Sequence, residues 1–135
     1  MLKFLQNKLW RDKMPDIKRA VGSIVHVKEL DDAEYALQLR VKLTEETAEV
    51  CVAPSKNELV EELADVLEVI DALCALHNIS AEDVHAVQTK KREEKGGFYQ
   101  RAFVTIAEHP TGSGGELYCR AQPDKYPEIV EKDTK

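Results

Sequence analysis

Hydrophobic residues recur at helical spacing through the middle of the chain. Tyr35, Leu39, Leu43 and Val50, with Ala36 and Ala48 nearby, form one apolar stripe, the pattern of a helix with one buried face. Asp31 or Asp32 can cap its start. Pro54 ends it, because proline pushes the residue before it out of helical geometry. A second stripe runs through Leu59, Leu63, Val66, Ile70, Leu73 and His77, widened by Val60, Leu67 and Val69. Ser55 and Glu58 make a capping box at its start, and Asn78 stops it. Its breadth predicts contact with more than one neighbour. Ser80 and Asp83 open a further helix, "SAEDVHAVQTKKREEK", which Gly96 and Gly97 close. Near the N-terminus, Pro15 opens a short helix that Gly22 ends. The β-branched alternation of "SIVHVKEL" predicts a short extended piece near 24–30. "FYQRAFVTIAE" and "ELYCRA" read as two short strands around "HPTGSGG", which places more extended structure near 101–121. "PDKYPEIVEKDTK" reads as a loosely held polar tail. The predicted fold class is mainly α, an antiparallel helical bundle with short extended segments.

Composition narrows the classes. The chain has 135 residues, which suits one compact domain. An apolar fraction of 43% supports a core, and a formal charge of −6 argues against a nucleic-acid polymer as partner. The three cysteines, Cys51, Cys74 and Cys119, have no paired spacing and so no disulfide framework. Cys51 and Cys74 read as small core side chains. No apolar run is long enough to span a bilayer. The opening "MLKFLQNKLWRDK" lacks the apolar core of a signal peptide. A cytoplasmic location is the expectation, with no membrane partner.

The carboxylates change the picture. Glu46 with Glu49, and Glu62 with Asp65, are each spaced i, i+3, so the members of each pair share a helix face. Glu49 and Glu62 stand equally far from the point between Ser55 and Lys56, and so do Glu46 and Asp65. If the helices fold back at Pro54, the four side chains come level in two rungs. Four such groups repel; at about 4 Å a like-charged pair costs roughly 4 kcal/mol at an effective dielectric near 20. Either some protonate or a cation binds. Hard oxygen donors suit Mg²⁺, Mn²⁺ or Ca²⁺. Mg²⁺ often bridges to substrate phosphates. The simpler alternative is a solvated acidic face, since Glu45, Glu58, Glu61, Glu68 and Asp71 lie on the same helices.

These stretches together resemble the MazG-like all-α nucleoside triphosphate pyrophosphohydrolases, and more closely their phosphoribosyl-ATP pyrophosphohydrolase-like members. The carrying pattern is E-E-x-x-E followed by E-x-x-D. Here it reads Glu45-Glu46-Thr47-Ala48-Glu49, twelve residues, then Glu62-Leu63-Ala64-Asp65. "NKLWRDKMP", "LDDAEYALQLRVKLTEE", "ELADVLEVIDAL" and "KKREEKGGF" surround it in order. The resemblance covers about residues 5 to 103, so 1–103 is expected to be the all-α domain and 104–135 an extension with a short hairpin and a polar tail. Trp10 stands where the family usually has a smaller aliphatic residue.

The resemblance implies a helical bundle assembled as a homodimer or homotetramer. It implies Mg²⁺, with Mn²⁺ as a substitute, held by Glu46, Glu49, Glu62 and Asp65. The implied reaction is hydrolysis of a nucleotide between its α and β phosphates, giving a monophosphate and pyrophosphate. Glu45 would orient or deprotonate the attacking water. Two basic clusters become candidates for the triphosphate: Lys8, Arg11 and Lys13, and Lys91, Arg92 and Lys95. Arg offers bidentate contacts and Lys a point charge. The second cluster can instead simply complement a helix C-terminus. Asp12 is expected to be an ion-pair partner of its basic neighbours, and Trp10 is a candidate to stack on the base. The expected activity is house-cleaning of surplus or non-standard nucleotides. The alternatives are hydrolysis of phosphoribosyl-ATP in histidine synthesis and a non-catalytic helical adaptor.

Overall fold

A computed structural model describes residues 1–131. Among them are five helices and no strand: α1 (Met14–Ala20), α2 (Asp32–Val52), α3 (Lys56–Leu76), α4 (Ala81–Lys95) and α5 (Gly114–Arg120). The chain divides into two compact units, Met1–Lys95 and the residues from Gly96 on. No helix among the described residues is long and apolar enough to cross a membrane.

Local chemistry sets the helix limits. Pro15 occupies the first turn of α1, where its missing N–H costs nothing. Asp31 caps α2, its carboxylate accepting from the Glu34 N–H at 2.8 Å. Ser55 caps α3 through the Glu58 N–H at 3.2 Å, and Ser80 accepts from the Asp83 N–H at 3.1 Å at the start of α4. Asn78, at φ 55°, closes α3. The Ile79 N–H reaches the Cys74 carbonyl at 2.8 Å and the Asn78 N–H the Ala75 carbonyl at 3.3 Å, the bond pair of a Schellman stop with Asn in the left-handed position.

Helices α2 and α3 have 21 residues each, and residues 53–55 join them. So short a connection forces an antiparallel hairpin. It is the one extensive helix pair among the described residues. Its interior is small: Leu39 and Val69 are the buried apolar residues, and Glu46 is buried with them. Part of the wide stripe of α3 is left uncovered, with Leu59, Leu63 and Leu67 exposed. On α4, Val84 and Val87 are exposed as well. Cys51 is exposed rather than in the core: it sits in the last turn of α2, where the hairpin has narrowed to its connection. Cys74 is half-buried.

The second unit differs from its sequence expectation. Residues 114–120, expected as part of a hairpin, are helix α5, and residues 101–110 are non-helical without strand pairing. The cause is local. Ser113 caps α5 by accepting from the Glu116 N–H at 3.4 Å, and the Glu116 carboxylate reaches back to the Gly112 N–H. Arg120 holds both Glu116, at 3.0 Å, and Glu128, at 3.2 Å. The Tyr118 and Tyr126 rings pack tilted at 43°, with centroids 5.6 Å apart. Residues 24–30 likewise lie outside the helices, with no strand partner among the described residues. The final part of the expected polar tail, 132–135, lies outside the described residues.

Candidate metal and nucleotide site

The hairpin brings the two acidic motifs together. Glu46 and Glu49 project from α2, Glu62 and Asp65 from α3, and one carboxylate oxygen of each lies within 4.8 Å of the others. Heights inferred from the distance to the turn are therefore matched by side-chain convergence. Glu46 is buried at 6% exposure. Glu46 Oε2 and Glu62 Oε2 are buried with no hydrogen-bond partner. A buried oxygen left without a partner costs about 1–3 kcal/mol, so two such oxygens on members of one cluster would favour a cation or a hydrogen-bond donor there.

The electrostatics agree. Burial pushes the Glu46 carboxyl above its ordinary value, with the Glu49 charge adding to the effect against the opposing hydrogen bond from Lys42. Glu49 is raised chiefly by sharing a hydrogen bond with Glu62, then by burial and by the Glu62 charge. Without a cation Glu46 and Glu49 thus retain protons more readily than free carboxyls do. The donor set is all hard oxygen, which fits Mg²⁺ or Mn²⁺ and does not favour a soft ion.

Cations border the cluster. Lys42 Nζ lies 3.3 Å from Glu46 Oε1 and 3.4 Å from Glu45 Oε1. Lys8 Nζ reaches Glu45 Oε1 at 3.3 Å. Burial alone would raise Glu45, but the Lys8 hydrogen bond and the Lys42 charge outweigh it and hold the carboxyl below its ordinary value. Glu45 is accordingly ionised at neutral pH, beside the four-carboxylate cluster and not within it. Arg11 Nη2 donates to Asp65 Oδ1 at 2.6 Å, and that bond raises the guanidinium above its usual value.

The candidate residues named from sequence separate into two groups. Lys8 and Arg11 meet the acidic cluster, with half-buried Trp10 between them in the chain. Lys13, Lys91, Arg92 and Lys95 make no ion pair among the described residues, and neither does Asp12, which was expected to pair with its neighbours. On α4, Arg92 and Lys95 lie in the last turn, where they complement the helix C-terminus. Lys42 was missed. Its signal was present, since a lysine three and four residues before Glu45 and Glu46 shares their helix face.

A helical hairpin that sets E-x-x-E against E-x-x-D defines the MazG-like all-α nucleoside triphosphate pyrophosphohydrolase class. Within that class, residues 23–92 match the family model described as phosphoribosyl-ATP pyrophosphohydrolase. The match takes in more than half of the chain and all of the four-carboxylate cluster, and the chain belongs to this family. It is a nucleotide pyrophosphohydrolase by that membership. No curated protein and no solved structure matches it. Lys8, Trp10, Arg11 and Lys13 precede the matched residues, and the second unit follows them.

Proposed function

We propose that the chain hydrolyses a nucleoside triphosphate, or a related nucleotide, between the α and β phosphates, releasing pyrophosphate, with Mg²⁺ held by Glu46, Glu49, Glu62 and Asp65. The observation that carries this reading is the convergence of those four carboxylates within 4.8 Å around partnerless buried oxygens. When bound, the ion supplies Lewis acidity toward the phosphate oxygens. The chain's own residues do the remainder. Glu45, kept ionised by Lys8 and Lys42, orients the attacking water at the edge of the cluster. Lys8 and Arg11 offer positive charge to the phosphates. Lys13, Lys91, Arg92 and Lys95 are further candidates for the same role, and Trp10 for stacking on the base.

House-cleaning of nucleotides is the preferred assignment. The family description favours one alternative, hydrolysis of phosphoribosyl-ATP itself. The uncovered apolar faces of α3 and α4 support assembly as a homodimer or homotetramer, because a domain burying so little of its own apolar surface gains most by covering it with a second copy. Three free cysteines suit a reducing cytoplasm.

The test is a screen of nucleotides with Mg²⁺, repeated with Mn²⁺, scoring pyrophosphate against orthophosphate and including phosphoribosyl-ATP. Pyrophosphate from standard or modified triphosphates supports the house-cleaning reading. Release from phosphoribosyl-ATP alone assigns the histidine-pathway step. Folded protein that releases pyrophosphate from nothing in the panel favours the helical adaptor, and the proposal fails.

A further inference from the structure

The segment before α1 crosses both helices of the hairpin. Lys8 is tied to Glu45 on α2, 37 residues away, and Arg11 to Asp65 on α3, 54 residues away. The first contact is to the neighbour in sequence of the cluster member Glu46, and the second is to a member of the cluster itself. Of the four converging carboxylates, Glu46 has Lys42 as its cation and Asp65 has Arg11. Arg11 therefore holds an oxygen of the very group that is proposed as a metal ligand.

Both partners of that pair are open to water. The Arg11 side chain is 56% exposed and that of Asp65 36%. Pairs with such exposure contribute little and are easily exchanged. A dication arriving among four carboxylates outcompetes one guanidinium, and its charge then repels the guanidinium from the same oxygen. An arginine displaced in this way keeps its planar fork of donors, which matches a phosphate as well as it matches a carboxylate.

We propose that Arg11, assisted by Lys8, is a built-in counter-cation for the acidic cluster: it neutralises Asp65 while no divalent ion is held there, and ion loading releases it to a phosphate of the nucleotide. This rests on the metal reading given above and adds an order to it, ion before arginine transfer. Arg11 is then a positioning residue with two successive partners, and the 8–11 segment moves when the ion binds.

The test uses the full chain without nucleotide. Mn²⁺ uptake is followed by the paramagnetic resonance of the free ion in wild type, Arg11→Gln, Arg11→Lys and Lys3→Gln. Loss of the competing guanidinium is expected to tighten Mn²⁺ binding about two- to fivefold in Arg11→Gln, the equivalent of a weak exposed pair. Arg11→Lys, which keeps the charge, and Lys3→Gln, which removes a charge elsewhere, should bind as wild type does. Trp10 is the chain's one tryptophan and adjoins Arg11, so its emission reports on the segment. Mg²⁺ should shift it in wild type and leave it unchanged in Asp65→Asn. In the assay with nucleotide, KM should rise in Arg11→Gln and, through loss of the fork, in Arg11→Lys. Wild-type Mn²⁺ affinity in Arg11→Gln, together with Trp10 emission indifferent to Mg²⁺, would overturn the inference while leaving the metal reading intact. If wild type takes up no Mn²⁺, both fall. If Arg11→Gln does not fold, the wild-type Trp10 titration decides alone.

Discussion

Replacing Glu49 by Gln should change stability in opposite directions with and without Mg²⁺. The carboxylate oxygens of the cluster lie within 4.8 Å of one another. A like-charged pair at that separation costs about 3.5 kcal/mol at an effective dielectric of 20 and about 0.9 kcal/mol in bulk water. Glu49 is exposed, so the watery limit is the better guide, and removing its charge should relieve about 1 kcal/mol. For a unit of this size that is roughly 4 °C in Tm. In chelator, Glu49→Gln is therefore expected to melt above wild type. In Mg²⁺ at a hundredfold excess over its Kd, wild type gains about 2.7 kcal/mol from binding. The variant, short of one ligand, gains much less, and the order of the two melting points reverses. Thermal melts followed by helical circular dichroism at pH 8, in chelator and in Mg²⁺, measure both. A variant that shifts Tm equally in the two conditions, or lies below wild type in chelator, would refute the idea that these side chains converge to hold an ion.

Asp65→Asn and Glu49→Gln should each lower Mg²⁺-dependent turnover by at least about two orders of magnitude, the scale of losing an essential catalytic group; near-native pyrophosphate release would remove that residue from the ligand set. Glu46 and Glu49 titrate above their ordinary value in the folded chain, so just above that value the folded state holds protons that the unfolded chain has released, and stability in chelator should fall as pH rises through this window. Urea midpoints between pH 5 and 8 test the sign, and Mg²⁺ should flatten the slope. Glu45, held low, acts in the opposite sense, adding stability above its unfolded value that is lost as pH falls through its folded one. Ser113→Ala should weaken α5 by about 1 kcal/mol, as the loss of a helix cap does, without changing turnover; amide exchange across 114–120 would show it.

The helices were legible because each carries its own start and stop. Asp31, Ser55, Ser80, Asn78 and Gly96 act within a few residues of themselves, so sequence alone suffices to place them. The acidic cluster was legible for a related reason: a tight turn at Pro54 converts equal distance along the chain into equal height. Two things were not legible. "ELYCRA" alternates like a strand, yet its first residue, Glu116, forms with Ser113 the capping pair of a helix start, and in a stretch this short local capping outweighs alternation. The second is pairing across long loops. Nothing in the spacing of Arg11 and Asp65 says that they meet; their contact depends on how residues 21–30 return the chain, which no local pattern encodes. Cys51 shows the same limit, since an apolar neighbourhood in sequence did not make it buried.

What is unusual in the first unit is which groups it buries. With Leu39 and Val69 as its buried apolar side chains, the hairpin still takes Glu46 largely out of water and leaves one of its oxygens without a partner. Folding alone gives no reason for that arrangement, because an apolar residue at position 46 would avoid the desolvation cost and enlarge the core. The cost is intelligible if the carboxylate is held rigid for a cation to meet, with Lys42 fixing one oxygen and the other left without a partner. The exposed stripe of α3 follows the same logic. A hairpin that gives part of its inner face to charge has apolar surface left over on the outer one, and Leu59, Leu63 and Leu67 lie exposed there. On this account the acidic cluster and the exposed apolar stripe are two consequences of one choice, the placing of acid where a two-helix core would ordinarily put leucine.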